Sequence, residues 1–236
     1  MNMEERHQFI IETIKEAGEL IFSLREEKFE IFSKNQDTRN LVTSVDLAVN
    51  DFLFRKIHSL YPNETILSEE TKNQSTNPDS FWSIDPIDGT SNFARGIPHF
   101  ATCITYVEKE EPVAGAVFSP TTNELFSFQK GKGAFLNNKK IKVSEISKLS
   151  DAYVLLHIGR KESLREWGIN LQRKFLSSAK KNINLGSSSL DLCFLATGRV
   201  DAVIYGTLTT KDVAVAVAMV REAGEKFIIW MVTQFC

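Results

Sequence analysis

Cysteine is scarce in this chain of 236 residues: Cys103, Cys193 and Cys236 stand far apart and no C-x-x-C pair occurs. That spacing excludes a disulfide framework and a zinc ribbon, and Cys103 and Cys193, each inside an apolar run, read as small buried hydrophobes. No apolar run approaches the ~20 residues that a bilayer-spanning helix needs, and no secretory leader is read at the N-terminus. The expected setting is therefore cytoplasmic, with no membrane partner. Excess charge is missing as well: 28 Lys+Arg face 30 Asp+Glu, for a net charge of −2 and a pI near 6.1. With no basic balance and no aromatic-basic stripe, nucleic acid is not an expected partner. The histidines His7, His58, His99 and His157 are scattered, and His99 reads as a packing or supporting residue rather than a ligand or nucleophile. Repeats and low-complexity tracts are absent. What remains, 42% hydrophobic and 25% charged residues, is the composition of an ordinary globular protein.

Against that plain background one segment stands out, Trp82-Ser83-Ile84-Asp85-Pro86-Ile87-Asp88-Gly89-Thr90-Ser91-Asn92-Phe93. Phe81 to Ile84 reads as a buried strand, and Pro86, which lacks a ladder donor, is expected to take the chain out of the sheet just as Asp85 emerges. Asp88-Gly89 is a turn signal, and Thr90, Ser91 and Asn92 are residue types that cap a helix start. Two hard carboxylates beside free backbone N–H groups suit a metal ion and a phosphate. Elsewhere Glu69 and Glu70 follow the short apolar run Thr65-Ile66-Leu67, so a second acidic pair leaves a strand end. Asp212 precedes the apolar helix Val213 to Val220 and is placed to cap it. An Asp-Gly turn or a helix cap would explain any one of these residues, but not all of them together.

The wider pattern resembles the inositol monophosphatase family, Mg²⁺-dependent and lithium-sensitive phosphomonoesterases of the fructose-bisphosphatase-like superfamily. Trp82 to Phe93 agrees with the family's W-x-x-D-P-I-D-G-T-x-N-F at every fixed position. Support comes from Leu41 to Asp46, Ser68-Glu69-Glu70, Gly131 to Phe135 with Asn137, Gly186 to Ser189 with Ala196-Thr197-Gly198, and Asp212-Val213-Ala214 with Glu222-Ala223-Gly224. The resemblance implies that Glu69, Asp85 and the Ile87 carbonyl hold one Mg²⁺, that Asp85, Asp88 and Asp212 hold a second, and that a third ion shares Glu69. It implies hydrolysis by direct attack of a metal-activated water, with Glu69 and Thr90 beside the water and Asp46 orienting Thr90. The backbone of Asp88, Gly89 and Thr90 would grip the phosphate, and Gly186, Ser187, Ser188, Tyr205 and Asp212 would complete the substrate contacts. Converging carboxylates agree with a metal requirement, because without cations they would repel one another and the phosphate.

The implied fold is α/β (α+β), a layered α-β-α-β-α sandwich. Residues 1–146 would form an α+β half carrying the metal and phosphate motif, and residues 147–236 an α/β half of the same catalytic unit. Periodicity predicts helices over Glu4 to Phe22 and Val45 to Leu60, a polar turn-rich connector over Lys34 to Asn40, and a meander of Ala101 to Val107, Val113 to Phe118 and Leu125 to Phe128. A strand over Tyr153 to Ile158, helices over Glu162 to Ser178 and Leu190 to Gly198, and a strand over Ala202 to Tyr205 follow. Gly131-Lys132-Gly133 looks like a phosphate loop, but no helix follows it, and Asn137-Asn138 reads as a hairpin turn.

Two departures matter. Inositol-specific members carry an acid at the position of Tyr205, and the family's Trp before the last metal Asp is Lys211 here, so the substrate is expected to be a small phosphate ester, a sugar or inositol phosphate, with fructose 1,6-bisphosphate or a phosphorylated nucleotide as alternatives. The family's Glu-Ala-Gly helix end normally continues into a further glycine and an Asp-rich turn, whereas here Glu225 to Cys236 departs from it. Trp230-Met231-Val232 must be encoded TGG-ATG-GTN, whose neighbouring frame contains GAT-GGT, or Asp-Gly, so a frameshift after about Gly224 and an incomplete C-terminal end are expected. That tail also opens a second function, a regulatory or inactive relative that binds metal and phosphate without turnover. A homodimer is expected by resemblance.

Overall fold

The structure, a computed structural model, describes residues 2–34, 37–38, 40–70, 79–159, 162–206 and 210–224, without the side chains of 210–213. Its first helix, α1 (Met3–Arg25), opens on a capping box in which the Asn2 side chain and the Glu5 backbone N–H, and the reverse pair, exchange hydrogen bonds of 2.9 Å. Ile10, Ile14, Ala17 and Ile21, spaced three or four apart, are fully buried on one face. Two short paired strands, β1 (Ile31–Ser33) and β2 (Leu41–Thr43), lead to α2 (Ser44–Leu60), which opens on a second capping box between Thr43 and Asp46. Next come β3 (Thr65–Ser68), β4 (Ser80–Asp88) and the short α3 (Thr90–Ala94).

The meander follows as β5 (Ala101–Glu108), β6 (Glu111–Ser119), β7 (Glu124–Gln129), β8 (Gly133–Leu136) and β9 (Lys139–Lys140). With β3 parallel to β4 and the rest antiparallel, these strands form a sheet of order β3-β4-β5-β6-β7-β8-β9. The chain continues through β10 (Tyr153–His157), α4 (Arg165–Ser178), β11 (Lys181–Ile183), α5 (Ser188–Ala196), β12 (Ala202–Tyr205) and α6 (Thr210–Glu222). β10 lies between β11 and β12 in an all-parallel sheet, the arrangement expected when helices connect the strands.

One apolar cluster packs α1 and α2 on one face of the large sheet; another packs α5 and α6 between its other face and the small sheet, with α4 outermost. This is the expected α-β-α-β-α layering. The inner layer is tight at Gly115 of β6, where an added Cβ would lie 2.8 Å from Val215 of α6 and 2.9 Å from the Ile104 carbonyl oxygen. Gly115→Ala is expected to cost about 1–3 kcal/mol through overpacking, read as a lower urea midpoint with an unchanged slope.

Several sequence expectations need correcting. Pro86 does not end its strand: β4 runs on to Asp88, and the ladder to β5 instead shifts register between Asp85 and Asp88, so the missing donor falls in a bulge. Thr90, Ser91 and Asn92 do not cap α3, because its N-cap is Gly89 at φ 90°, and they form the helix itself. Asp212 does not cap α6 either; the helix starts at Thr210 and takes Asp212 into its first turn. Glu162–Leu164 is a 3-10 turn before α4, and β1, β2 and β11, of three residues each, were too short to show an alternating pattern. The expected glycine turn is structural: the N–H groups of Gly131 and Gly133 donate to the Glu222 carboxylate at 2.9 and 3.0 Å, tying the end of α6 to β8. Glu225 to Cys236, on which the frameshift reading rests, lies outside the described residues.

Candidate active site

The bulge at the end of β4 aims Asp85 and Asp88 into a cleft of about 250 Å³. Asp85 and Asp88 are buried, and Ile87, Gly89, Thr90 and Ser91 line the same space with Glu69, Gly186, Ser188 and Tyr205. Asn40, Leu41 and His157 complete the lining. Most of the expected site residues are thus brought together from segments far apart in the chain. Asp46 and Ser187 stand behind the cleft wall, both buried. Asp212, the remaining expected contributor, and Lys211 have side chains outside the described residues.

Asp88 is held by three donors. One oxygen accepts from Ser187 Oγ at 2.5 Å and the Ser189 N–H at 2.8 Å, and the other accepts from Ser188 Oγ at 3.0 Å. The donors all come from the start of α5, so this contact joins the two sheets at the cleft. Burial raises the Asp88 pKa above the usual aspartate value, against the lowering effect of those serine contacts. A carboxylate has about four acceptor sites, so room for one further contact remains.

Gly89 is required where it stands. Its φ is 90°, and a Cβ there would sit 3.1 Å from the His99 carbonyl oxygen and 3.3 Å from Ser187 Cβ. The turn it makes leaves the N–H groups of Thr90 and Ser91, first in α3, without backbone acceptors among the described residues. Asn92 then donates to the carbonyls of His99 at 2.7 Å and Leu185 at 2.9 Å, a second link between the halves.

Behind Thr90, Asp46 performs two tasks. Its Oδ2 accepts from Thr43 N–H at 2.8 Å and Thr43 Oγ1 at 2.5 Å, closing the cap of α2, while Oδ1 lies 3.2 Å from Thr90 Oγ1. Thr90 Oγ1 is also 2.9 Å from the Ile87 carbonyl oxygen, so its single proton is directed inward and its lone pairs are left for the cleft. Burial lifts the Asp46 pKa, although the Thr43 and Thr90 contacts oppose it.

At the mouth, Lys34 Nζ bridges Glu69 and Glu70 at 2.8 and 2.7 Å. Burial works against the Lys34 ammonium, yet its hydrogen bonds to the two glutamates outweigh this and hold its pKa above the usual lysine value. Among the described residues no three Asp, Glu, His or Cys side chains form a metal cage by themselves. The donor set nevertheless fits a hard divalent cation: Glu69, Asp85, Asp88 and the Ile87 carbonyl are all oxygens facing one polar cleft.

Sequence reasoning missed Lys34 and Asp191, and it read Asn92, a fixed position of the motif, as a helix cap rather than as the link to His99 and Leu185. Asp191 left one trace, a lone acid inside the apolar run Leu190 to Ala196; Lys34 carried no comparable signal.

The sequence matches the Inositol monophosphatase family over residues 2–235. The chain belongs to that family. Among family relatives, the fructose-1,6-bisphosphatase/inositol-1-monophosphatase of Thermotoga maritima is 30% identical over 235 residues, 98% of this chain and 85% of its own. The Nus factor SuhB of Pasteurella multocida is 31% identical over 216 residues, 91% of this chain and 81% of its own. The crystal structure of the extragenic suppressor protein suhB from Bartonella henselae superposes with a TM-score of 0.86 at 27% identity, covering 92% of this chain and 84% of that one. Inositol monophosphatase family membership supports a phosphatase acting on a small phosphate ester. Among the described residues, no helix is long and apolar enough to cross a membrane.

Proposed function

We propose that this chain is a Mg²⁺-dependent phosphomonoesterase that hydrolyses a small sugar or inositol phosphate by direct attack of water. The observation that carries the reading is the convergence of Glu69, Asp85, Asp88 and Thr90 with Gly186, Ser188 and Tyr205 on a single polar cleft. Glu69, Asp85, Asp88 and the Ile87 carbonyl would hold two or three ions together with Asp212. When bound, Mg²⁺ supplies positive charge to the phosphoryl oxygens and lowers the pKa of water.

The chain's own residues do the rest. The N–H groups of Thr90 and Ser91, without backbone acceptors among the described residues, donate to the phosphate at the start of α3. Thr90 Oγ1, its proton turned toward Asp46 and Ile87, accepts a hydrogen bond from the attacking water and orients it. Glu69 takes up the water's proton. Lys34 neutralises Glu69 and Glu70 in the meantime, keeping this acidic mouth from repelling the incoming phosphate. By resemblance to its family the protein is also read as lithium-sensitive and homodimeric.

The test is phosphate release from inositol, sugar, fructose 1,6-bisphosphate and nucleotide phosphates, with Mg²⁺ and with excess EDTA. Release with Mg²⁺ that EDTA abolishes is expected. A relative named as a Nus factor favours a regulatory protein as the second reading; phosphate and Mg²⁺ binding with no release from any ester would establish it and overturn the first.

A further inference from the structure

Asp191 is out of keeping with its surroundings. It is a carboxylate only 2% exposed in α5, a helix whose other buried residues, apart from Ser189, are apolar. An apolar side chain would pack there at less cost, since a buried charge is tolerated only where its hydrogen bonds are made. They are made here: one oxygen accepts from the Tyr205 hydroxyl at the end of β12, and the other lies 3.1 Å from His99 Nε2. A carboxylate only accepts, so that proton is on His99. The His99 ring also packs edge-on against Phe194, one turn further along α5.

Through His99 the same helix is tied to the turn that carries Asp88. The His99 carbonyl accepts from Asn92 at 2.7 Å, and Asn92 donates as well to Leu185, just before α5, at 2.9 Å. Asp88 takes its donors from Ser187, Ser188 and Ser189. Ser187 is the N-cap of α5, yet it makes no capping bond, because its hydroxyl is given to Asp88. A helix start without its own cap needs another fixed point, and Asp191, in the first turn, provides it. The fit is close: a Cβ at Gly186 would lie 3.3 Å from Asn92 Nδ2.

We propose that Asp191 and His99 are positioning residues that set the Mg²⁺ affinity of the cleft, by fixing the start of α5 so that its three donors hold Asp88 in place for the ion. Neither residue lines the cleft, so both act through α5. With Asp191 detached, the first turn of α5 loses its sideways anchor, and Asp88 is left with donors that no longer stand at a fixed place. Removing a partner one step behind a metal ligand typically changes affinity by about tenfold or more. The inference rests on the phosphatase reading in taking Asp88 as an ion-holding group.

The experiment measures Mg²⁺ binding to the full chain by calorimetry, in the absence of any ester, with thermal unfolding of each variant beside it. Asp191→Asn keeps the shape but turns an NH₂ group toward one of two donors, and His99→Leu removes one of those donors; each is expected to weaken Mg²⁺ binding about five- to tenfold. His99→Gln, whose amide N–H reaches toward Asp191 as Nε2 does, should recover most of the affinity. Glu222→Gln loosens the end of α6 from β8, and should lower Tm while leaving Mg²⁺ affinity unchanged. Unchanged affinity in both Asp191→Asn and His99→Leu, or an equal loss in Glu222→Gln, overturns the proposal. If the unaltered chain binds no Mg²⁺, the metal reading is what fails, and hydrogen exchange of the Ser189 amide, which donates to Asp88, decides whether Asp191 and His99 fix α5. Faster exchange in Asp191→Asn and His99→Leu than in Glu222→Gln supports the anchor, and equal exchange overturns it.

Discussion

On the proposed metal-dependent reading, Asp85→Asn is expected to lower phosphate-ester turnover by about a hundredfold or more, the scale of removing a proposed metal ligand rather than a group that supports one. Asp85 sits at the start of the β4 bulge, buried and facing the cleft, so the substitution keeps the shape and removes only the charge. The loss should fall on kcat at saturating substrate and should be partly recovered at high Mg²⁺, because the defect is in holding positive charge at the phosphate. Asp46→Asn provides the comparison. Its side chain acts on the cleft only through Thr90 and is otherwise occupied in the cap of α2, so a decrease of about tenfold is expected, with little change in the Mg²⁺ requirement. Steady-state kinetics over a Mg²⁺ titration checks both. Near-normal turnover by purified, folded Asp85→Asn would defeat the assignment of this carboxylate.

The largest expected effect on stability lies far from the cleft. The Arg6 guanidinium, on α1, makes two hydrogen bonds to Glu64 at 2.7 and 2.9 Å, and Glu64 also accepts from Trp82 Nε1 at 2.7 Å. The guanidinium carbon lies 3.9 Å from the Tyr106 ring centre, 4.3 Å from that of Tyr61 and 5.2 Å from that of Trp82. This arrangement ties α1, the turn after α2, β4 and β5 together. Arg6→Ala leaves the Glu64 charge against aromatic surface without its cation, and is expected to cost about 3 kcal/mol. For a chain of this size that corresponds to a fall of roughly 6–12 °C in Tm, measurable by calorimetry. Arg6→Lys should recover little, since an ammonium can neither make the paired contact nor stack in the same way. A change in Tm of under about 2 °C for Arg6→Ala would show that the contact contributes no more than an exposed ion pair.

Legibility differed from element to element for physical reasons. α1 and α2 could be read because a stripe of buried residues recurs with helical spacing, and the meander because β5, β6 and β7 are long and apolar. The turn at Asn137 and Asn138 was visible too, since both adopt positive φ, which asparagine tolerates. Three-residue strands such as β1 and β11 have no room for a pattern, and β11 pairs with β10 across an intervening helix. Pro86 misled because a missing donor can end a strand or sit in a bulge, and only the partner strand selects between them.

The residue order by itself determined the chemistry at the end of β4, where the spacing of Asp85, Asp88, Gly89 and Thr90 is local and one backbone turn presents them all. It also determined the family and the layered fold that goes with it. Only the tertiary structure decided what surrounds that turn: the serines of α5 on Asp88, the Lys34 bridge, and the line from His99 through Asp191 to Tyr205. Those contacts join residues as far apart as Asp88 and Ser188, 100 positions along the chain, and no local pattern encodes them, because their partners meet only when the helical layer packs between the two sheets.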